Sequence, residues 1–385
     1  MAPRRVMVAM SGGVDSSVAA ALLCEKGFDV TGVTLKLWRS ESGCCTAADA
    51  DDARAVARRL GIRHYVLDYE TEFREAVVVP TIEGYIAGET PNPCIECNRM
   101  IKFRLLIERA NALGCAFLAT GHHARISRIA CGGHRLLRAV DQAKDQSYVL
   151  YMLGQEELAS MLFPVGEMTK DRVRAEAARL GLRTAEKFDS QDVCFAPDSM
   201  RDFLEREAAG ALVPGEIRDA AGAVIGTHDG AALFTVGQRR GVGAPTGRRV
   251  YVTEIEAGDG VVKVGERGDL DARSIRASDA TWVSGVPPEL GAPVEVKARY
   301  GAHPVSGRLN EIGDHHFRVD LDAAVWAPAP GQALVCYQGE ELLGGGTIRS
   351  WSAFAQPGVE SAADRVHVGD EPVHRQTPCS RNWRH

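Results

Sequence analysis

At 385 residues the chain is long enough for two or three domains. Its 45% hydrophobic and 25% charged residues are ordinary for a soluble globular protein, and it has no run of about 18 apolar residues that could span a membrane. The net charge of −6 argues against a general nucleic-acid coat, but it leaves room for a local basic face. The chain runs straight into Arg4-Arg5 and a first strand, with no room for a signal peptide, so a cytoplasmic location is expected. In that setting ten cysteines point to chemistry or metal rather than a disulfide scaffold.

Arg5-Val6-Met7-Val8-Ala9-Met10 is short and apolar and reads as a buried strand. Ser11-Gly12-Gly13-Val14-Asp15-Ser16-Ser17 follows, and Val18 to Cys24 reads as a helix closed by Gly27. A strand, a glycine turn and a helix start leave backbone N–H groups aimed at whatever sits there, and the helix dipole favours an anion. Ser11, Ser16 and Ser17 add hydroxyl donors. Asp15 is the odd residue, since a carboxylate repels phosphate; it reads as a helix cap or a magnesium ligand. The loop lacks the lysine and four-residue spacer of a Walker A motif, and the third glycine of a dinucleotide fingerprint.

Val30 to Trp38 reads as a second strand. Ala53, Val56, Ala57 and Leu60 fall at helical spacing before Gly61, and His64 to Asp68 reads as a third strand. Alternating strands and helices predict a parallel sheet. Thr90 to Asn98 reads as a proline-braced turn carrying Cys94 and Cys97, followed by a helix from Lys102 to Ala112. Cys115 to Ala119 is a further strand, ending at Thr120-Gly121-His122-His123, where open α/β sheets bind ligands. Thr169 to Leu180 is a helix. After about residue 205 glycines become dense and helical periodicity fades. Phe234 to Gly241, Val250 to Val252, Val294 to Tyr300, Phe317 to Leu321, Ala333 to Tyr337 and Gly344 to Ile348 read as strands and loops of β-rich modules, the last a small barrel. From Phe354 the tail is polar and expected to be disordered.

The Cys94-x-x-Cys97 pair admits three readings. A zinc site would need about four ligands, and there is no second C-x-x-C. A redox pair would sit at a helix start after a strand. The third reading is a reactive thiol facing a nucleotide. Cys194, in Phe188 to Phe195, lies in a polar segment where burial in a core is not expected.

The Ser11–Ser16 loop resembles the pyrophosphate loop of the ATP pyrophosphatases. A wider resemblance covers roughly residues 5 to 350. It rests on that loop, on Asn92-Pro93 through Asn98, on Thr120-Gly121-His122 and on Lys144-Asp145-Gln146-Ser147-Tyr148. It continues through Asp189 to Phe195, Thr235 to Arg239 and Pro330-Gly331-Gln332. In this order the motifs resemble those of the bacterial tRNA-specific 2-thiouridylases.

The resemblance implies an α/β pyrophosphate-loop domain of the adenine nucleotide alpha hydrolase type at 1–205, a small β-rich, tRNA-contacting domain at 206–272, and a β-barrel at 273–351 before the tail, 352–385. It implies that ATP, with magnesium, meets Ala9, Met10, Ser11, Gly12, Gly13, Val14, Asp15, Ser16, Leu35 and Gly121. Cys97 would be the nucleophile, and Cys194 the persulfide carrier that forms a transient disulfide with it. Asn92, Pro93 and Cys94 would line the uridine pocket. His122, Lys144, Asp145, Gln146, Arg299, Tyr300 and Gln332 would contact tRNA, the partner being the anticodon arm of tRNAs for Lys, Glu and Gln. A cysteine desulfurase or a relay protein would supply the sulfur.

Two departures stand out. In well-known members Cys94 is an aspartate suited to acid–base work, and His123 is a tyrosine. Three thiols, Cys94, Cys97 and Cys194, also raise an iron–sulfur cluster as an alternative. Other rivals are a different pyrophosphate-loop ligase and a non-catalytic tRNA-binding module. Cys44-Cys45 have no physical account.

Overall fold

The computed structural model describes residues 3–38, 47–130, 132–188, 193–243 and 249–353. Cys44, Cys45, residues 189–192 and the tail from Phe354 lie outside them. Strand β1 (Arg5–Ala9) buries Val6, Met7 and Val8 completely, because helices cover both faces of its sheet. After α1 (Val14–Glu25) come β2 (Asp29–Lys36), α2 (Ala47–Leu60), β3 (Arg63–Asp68) and β4 (Phe117–Ala119). A hairpin of β5 (Ala124–Arg128) and β6 (His134–Arg138) follows, then β7 (Met161–Leu162). The parallel sheet runs β3-β2-β1-β4-β7. On one face Val18, Ala19 and Leu23 of α1 meet Val173 and Ala177 of the helix Lys170–Arg179, which Thr169 caps.

The turn expected at Thr90–Asn98 is mostly helix. Pro93–Glu96 forms the first turn, with Pro93 at a position where its missing N–H costs nothing. Cys97–Leu105 continues as a wide i→i+5 helix, and Leu106–Ala112 ends it. Wide turns of this kind recur at functional sites. Cys94 and Cys97 therefore stand on the first turns of one long helical segment, which packs on the second face of the sheet.

A four-stranded sheet, β10-β11-β8-β9, is built from β8 (Gly215–Arg218), β9 (Val224–His228), β10 (Tyr251–Glu256) and β11 (Val261–Gly265). Phe234 to Gly241, expected to include strand, is instead a turn region after a short 3₁₀ turn at Ala231–Leu233. The barrel comprises β12 (Asp271–Trp282), β13 (Pro293–Lys297), β14 (Val305–Ile312), β15 (His316–Trp326), β16 (Ala333–Gln338) and β17 (Glu341–Ser352). Its order β12-β15-β14-β13-β16-β17 closes through β12–β17 pairing. Alternation fills it: Val294 and Val296 point in while Glu295 and Lys297 do not.

The sequence pattern did not disclose how the barrel is joined on. The β5–β6 hairpin leaves the first domain and pairs with β17, Leu136 opposite Leu342. Val335, Tyr337 and Leu342 of the barrel enter the same core as Phe73, Ile95 and Leu106. The Tyr148 hydroxyl donates to the Ala333 carbonyl at 2.8 Å, and the Ser147 and Tyr337 hydroxyls are 3.2 Å apart. Tyr148→Phe removes a fully buried donor from this seam. It is expected to cost about 1–2 kcal/mol in urea unfolding without changing the m-value.

Candidate functional site

The first turn of α1 opens on a cavity of about 560 Å³. Two glycines make this opening possible. Gly12 has φ +74°, and a Cβ there would stand 2.2 Å from the Asp49 carbonyl oxygen. At Gly121 a Cβ would stand 2.5 Å from the Ser16 nitrogen. The end of β4 is thus pressed against the start of α1, and no side chain separates them. Gly13 is the N-cap and supplies no side-chain acceptor, so the first N–H groups of α1 lack a side-chain cap.

The hydroxyls divide the work. Ser17 is fully buried and donates to the Gly13 carbonyl at 2.7 Å, so it braces the turn. Ser16 donates to the same carbonyl at 3.2 Å and accepts from the Ser11 N–H at 3.2 Å. Ser11 is exposed at the cavity.

Asp15 is held by two basic side chains. Its two carboxylate oxygens accept from the Lys170 ammonium at 2.9 and 2.7 Å, and the His123 ring nitrogen Nε2 lies 3.1 Å from Oδ1. Burial pushes its carboxyl up, but the bonds and charges of His123 and Lys170 outweigh that and hold it below its ordinary value. A second lysine, Lys187, donates to the Gly12 carbonyl at 3.1 Å and to Asp49 and Asp52 at 2.6 Å each. Lys170, Lys187 and His123 escaped the sequence reading because their partners lie more than a hundred residues away. Only the replacement of tyrosine by His123 was a visible signal.

Of the expected nucleotide contacts, Ala9, Met10, Ser11, Gly13, Val14, Asp15, Ser16, Leu35 and Gly121 line the cavity, while the Gly12 carbonyl accepts from Lys187, which lines it too. Of the expected RNA contacts, His122, Lys144, Gln146 and Tyr300 also line it. His122 stands between the rings of Phe103 and Phe163, with Thr120 Oγ1 at 2.7 Å from its Nδ1. Burial, reinforced by the charges of Lys102 and His123, lowers its pKa to about 3, so the ring is neutral at physiological pH. Lys102 also reaches the cavity. In an α-helix five residues rotate through about 500°, setting Lys102 about 140° from Cys97; the wide turn brings them closer to one side.

Three expected RNA contacts also bond within the protein. Asp145 is buried: its Oδ1 accepts from the Ala139 and Ser147 N–H groups and its Oδ2 from the Ser147 hydroxyl, so it builds the barrel seam. Arg299 donates to the Ala327 carbonyl and lies over the Trp326 ring. Gln332 donates to the Thr90 carbonyl at 2.7 Å. Asn92 accepts from the Cys94 N–H at 3.1 Å and Pro93 is buried, so both shape the helix start. Cys94 is exposed. Cys97 is 6% exposed and Cys194 half-buried against the same apolar cluster. Among the described residues no three His, Cys, Asp or Glu side chains form a metal-sized group, so the cluster on Cys94, Cys97 and Cys194 is not assembled here. No helix among them is long and apolar enough to cross a membrane.

Residues 4–198 match the family described as tRNA methyl transferase HUP domain. Residues 201–266 match its PRC-barrel domain and 272–348 the aminomethyltransferase beta-barrel domain. Fold and loop together define a HUP-class protein carrying two β modules. The tRNA-specific 2-thiouridylase MnmA of Chloroflexus aggregans is 49% identical over 350 residues, which cover 89% of this chain and 98% of the relative. The protein of that name from Sorangium cellulosum is 47% identical over 356 residues, 90% of this chain and 92% of the relative. The chain belongs to the tRNA-specific 2-thiouridylase family. The solved U34-tRNA thiolase NcsA of Methanococcus maripaludis aligns with 55% of this chain and 69% of its own at TM-score 0.35 and 21% identity, too slight a likeness to bear on the site.

Asp15→Asn strands the buried Lys170 ammonium and is expected to cost about 3–5 kcal/mol in urea unfolding, with much of it recovered in Asp15→Asn/Lys170→Met. The sign with pH follows from the lowered carboxyl. The Asp15 contribution is complete above the unfolded carboxylate range and is lost as pH falls through the folded value. His122 acts in a neighbouring window. The unfolded chain takes up its proton below about pH 6.5, and the folded chain only near pH 3. Stability therefore falls with pH across that interval, and His122→Gln should flatten the slope in an unfolding series run from pH 7 to 4.

Proposed function

We infer that this chain is a tRNA-uridine 2-sulfurtransferase. It uses ATP to activate the C2 oxygen of the wobble uridine in tRNAs for Lys, Glu and Gln and replaces that oxygen with sulfur, giving 2-thiouridine, AMP and pyrophosphate. The supporting observation is the single cavity that joins the open start of α1 to Lys102, Lys144 and Tyr300 on the side of the Cys94–Cys97 helix, in a chain nearly half identical to full-length 2-thiouridylases.

In this reading the uridine O2 attacks the α-phosphorus of ATP. The bond from that phosphorus to the bridging oxygen breaks, and pyrophosphate leaves toward Ser11 and the uncapped N–H groups of α1. The N3 proton passes to solvent. Magnesium would arrive with the triphosphate, because Lys170 and His123 already engage Asp15. The outer sulfur of a Cys194 persulfide then adds to C2, and the old C2–O bond breaks, so O2 departs on AMP. Cys97 attacks the inner sulfur of Cys194. The S–S electron pair goes to the outer sulfur, which becomes the thiocarbonyl. The resulting Cys97–Cys194 disulfide is reduced by an external dithiol. A cysteine desulfurase or relay protein recharges Cys194, in the cytoplasm.

The test is thiolation of an anticodon arm with ATP and a persulfide source. Cys97→Ser and Cys194→Ser are each expected to lower 2-thiouridine by about 10³-fold or more, while the adenylation half-reaction, read as tRNA-dependent pyrophosphate release in a single turnover, is retained. Full 2-thiouridine production by Cys97→Ser would overturn the assignment.

A further inference from the structure

The connector that leads into the thiol-bearing helix is held from outside its own domain at successive positions. Gly88 has φ +79°, and its Cβ position lies 3.0 Å from Ile255 in β10. The Glu89 carboxylate meets Arg349 of β17 at 2.7 Å, and Arg349 is itself fixed by Asp279 at 2.9 Å. The Thr90 N–H donates to the Pro330 carbonyl at 2.7 Å, and the Thr90 carbonyl accepts from the Gln332 amide at 2.7 Å. The Thr90 hydroxyl reaches Thr235 of the middle domain at 3.4 Å. Gly331 lets this happen: it has φ +88°, and a Cβ there would stand 2.8 Å from the Thr90 nitrogen. Two residues past Thr90, Asn92 caps the helix that carries Cys94 and Cys97.

Both backbone polar groups of Thr90 thus belong to one barrel turn, Pro330 to Gln332. We propose that this turn, with Gln332 as its positioning residue, sets the thiol-bearing helix against the cavity, so that the barrel is an alignment device for Cys97 as well as a surface for RNA. The proposal rests on the sulfur-transfer reading for its consequence, but not for its geometry.

Gln332→Glu and Gln332→Met remove the donor while keeping length; Glu retains the acceptor oxygen and Met does not. Gly331→Ala disturbs the same bond sterically. In RNA-free protein, alkylation by iodoacetamide is mapped by mass spectrometry, with buried Cys336 of the barrel as internal control. All three variants should speed alkylation of Cys97 several-fold and leave Cys336 unchanged. In turnover they should lower kcat for 2-thiouridine by about 10- to 100-fold, as small misplacements of reacting groups do, with KM for tRNA unchanged. Unchanged Cys97 alkylation, with a raised KM in Gln332→Met that Gln332→Glu restores, would make Gln332 an RNA contact and overturn the proposal. Parallel acceleration at Cys336 would mean general loosening and would overturn it too. If wild type makes no 2-thiouridine the functional reading fails, and the alkylation series still decides the geometry.

Discussion

The close seating of β4 on the start of α1 governs this site. A helix start attracts an anion only where its N–H groups are uncapped and no carboxylate neutralises them. Here Gly13 withholds a cap, and the nearby carboxylates are occupied, Asp15 by Lys170 and His123 and Asp49 by Lys187. The contacts that Gly12 and Gly121 permit then leave room for phosphate without leaving room for a competing side chain. Any larger residue at either position would displace backbone, the least adaptable neighbour.

The same logic distributes the lysines. Lys170 and Lys187 are close to the loop, but each is neutralised by carboxylates of its own, so they brace the loop without flooding it with charge. Lys187 ties Gly12 to α2, and Lys170 ties α1 to the neighbouring helix. The cavity's response to a triphosphate then rests on oriented N–H groups in a fixed frame, which need no reorganisation when charge arrives.

Much of this was legible in the sequence, and the exceptions share a cause. The strand, glycine loop and helix at residues 5–25 were readable because each residue there answers to its immediate neighbours. The strand–helix alternation that predicts a parallel sheet and the alternation in Val294–Lys297 are also local patterns. The wide helix through Cys97 was not readable, since no sequence period marks i→i+5 bonding. Nor was the β5–β6 hairpin's docking on β17, which depends on pairing across some two hundred residues. The placement of Asp145 and Gln332 shows a subtler limit. A polar residue in a motif can serve by holding another segment still, and only its partners reveal which role it has.

In the proposed sulfur transfer, burial would also order the chemistry. Cys94 is exposed, Cys194 half-buried and Cys97 only 6% exposed. A thiol buried in the apolar core is poorly placed to receive sulfur from another protein, whereas Cys194 is more open to it. Cys97 suits the later, internal step, when a sulfur already on the base must be released from its carrier. On that proposal Cys97 would meet a target brought in by RNA, so its helix would need a fixed relation to the surface proposed to receive RNA. Holding Thr90 by both backbone groups from the barrel supplies that relation. A thiol shielded from solvent yet registered to the barrel could then act last without reacting early.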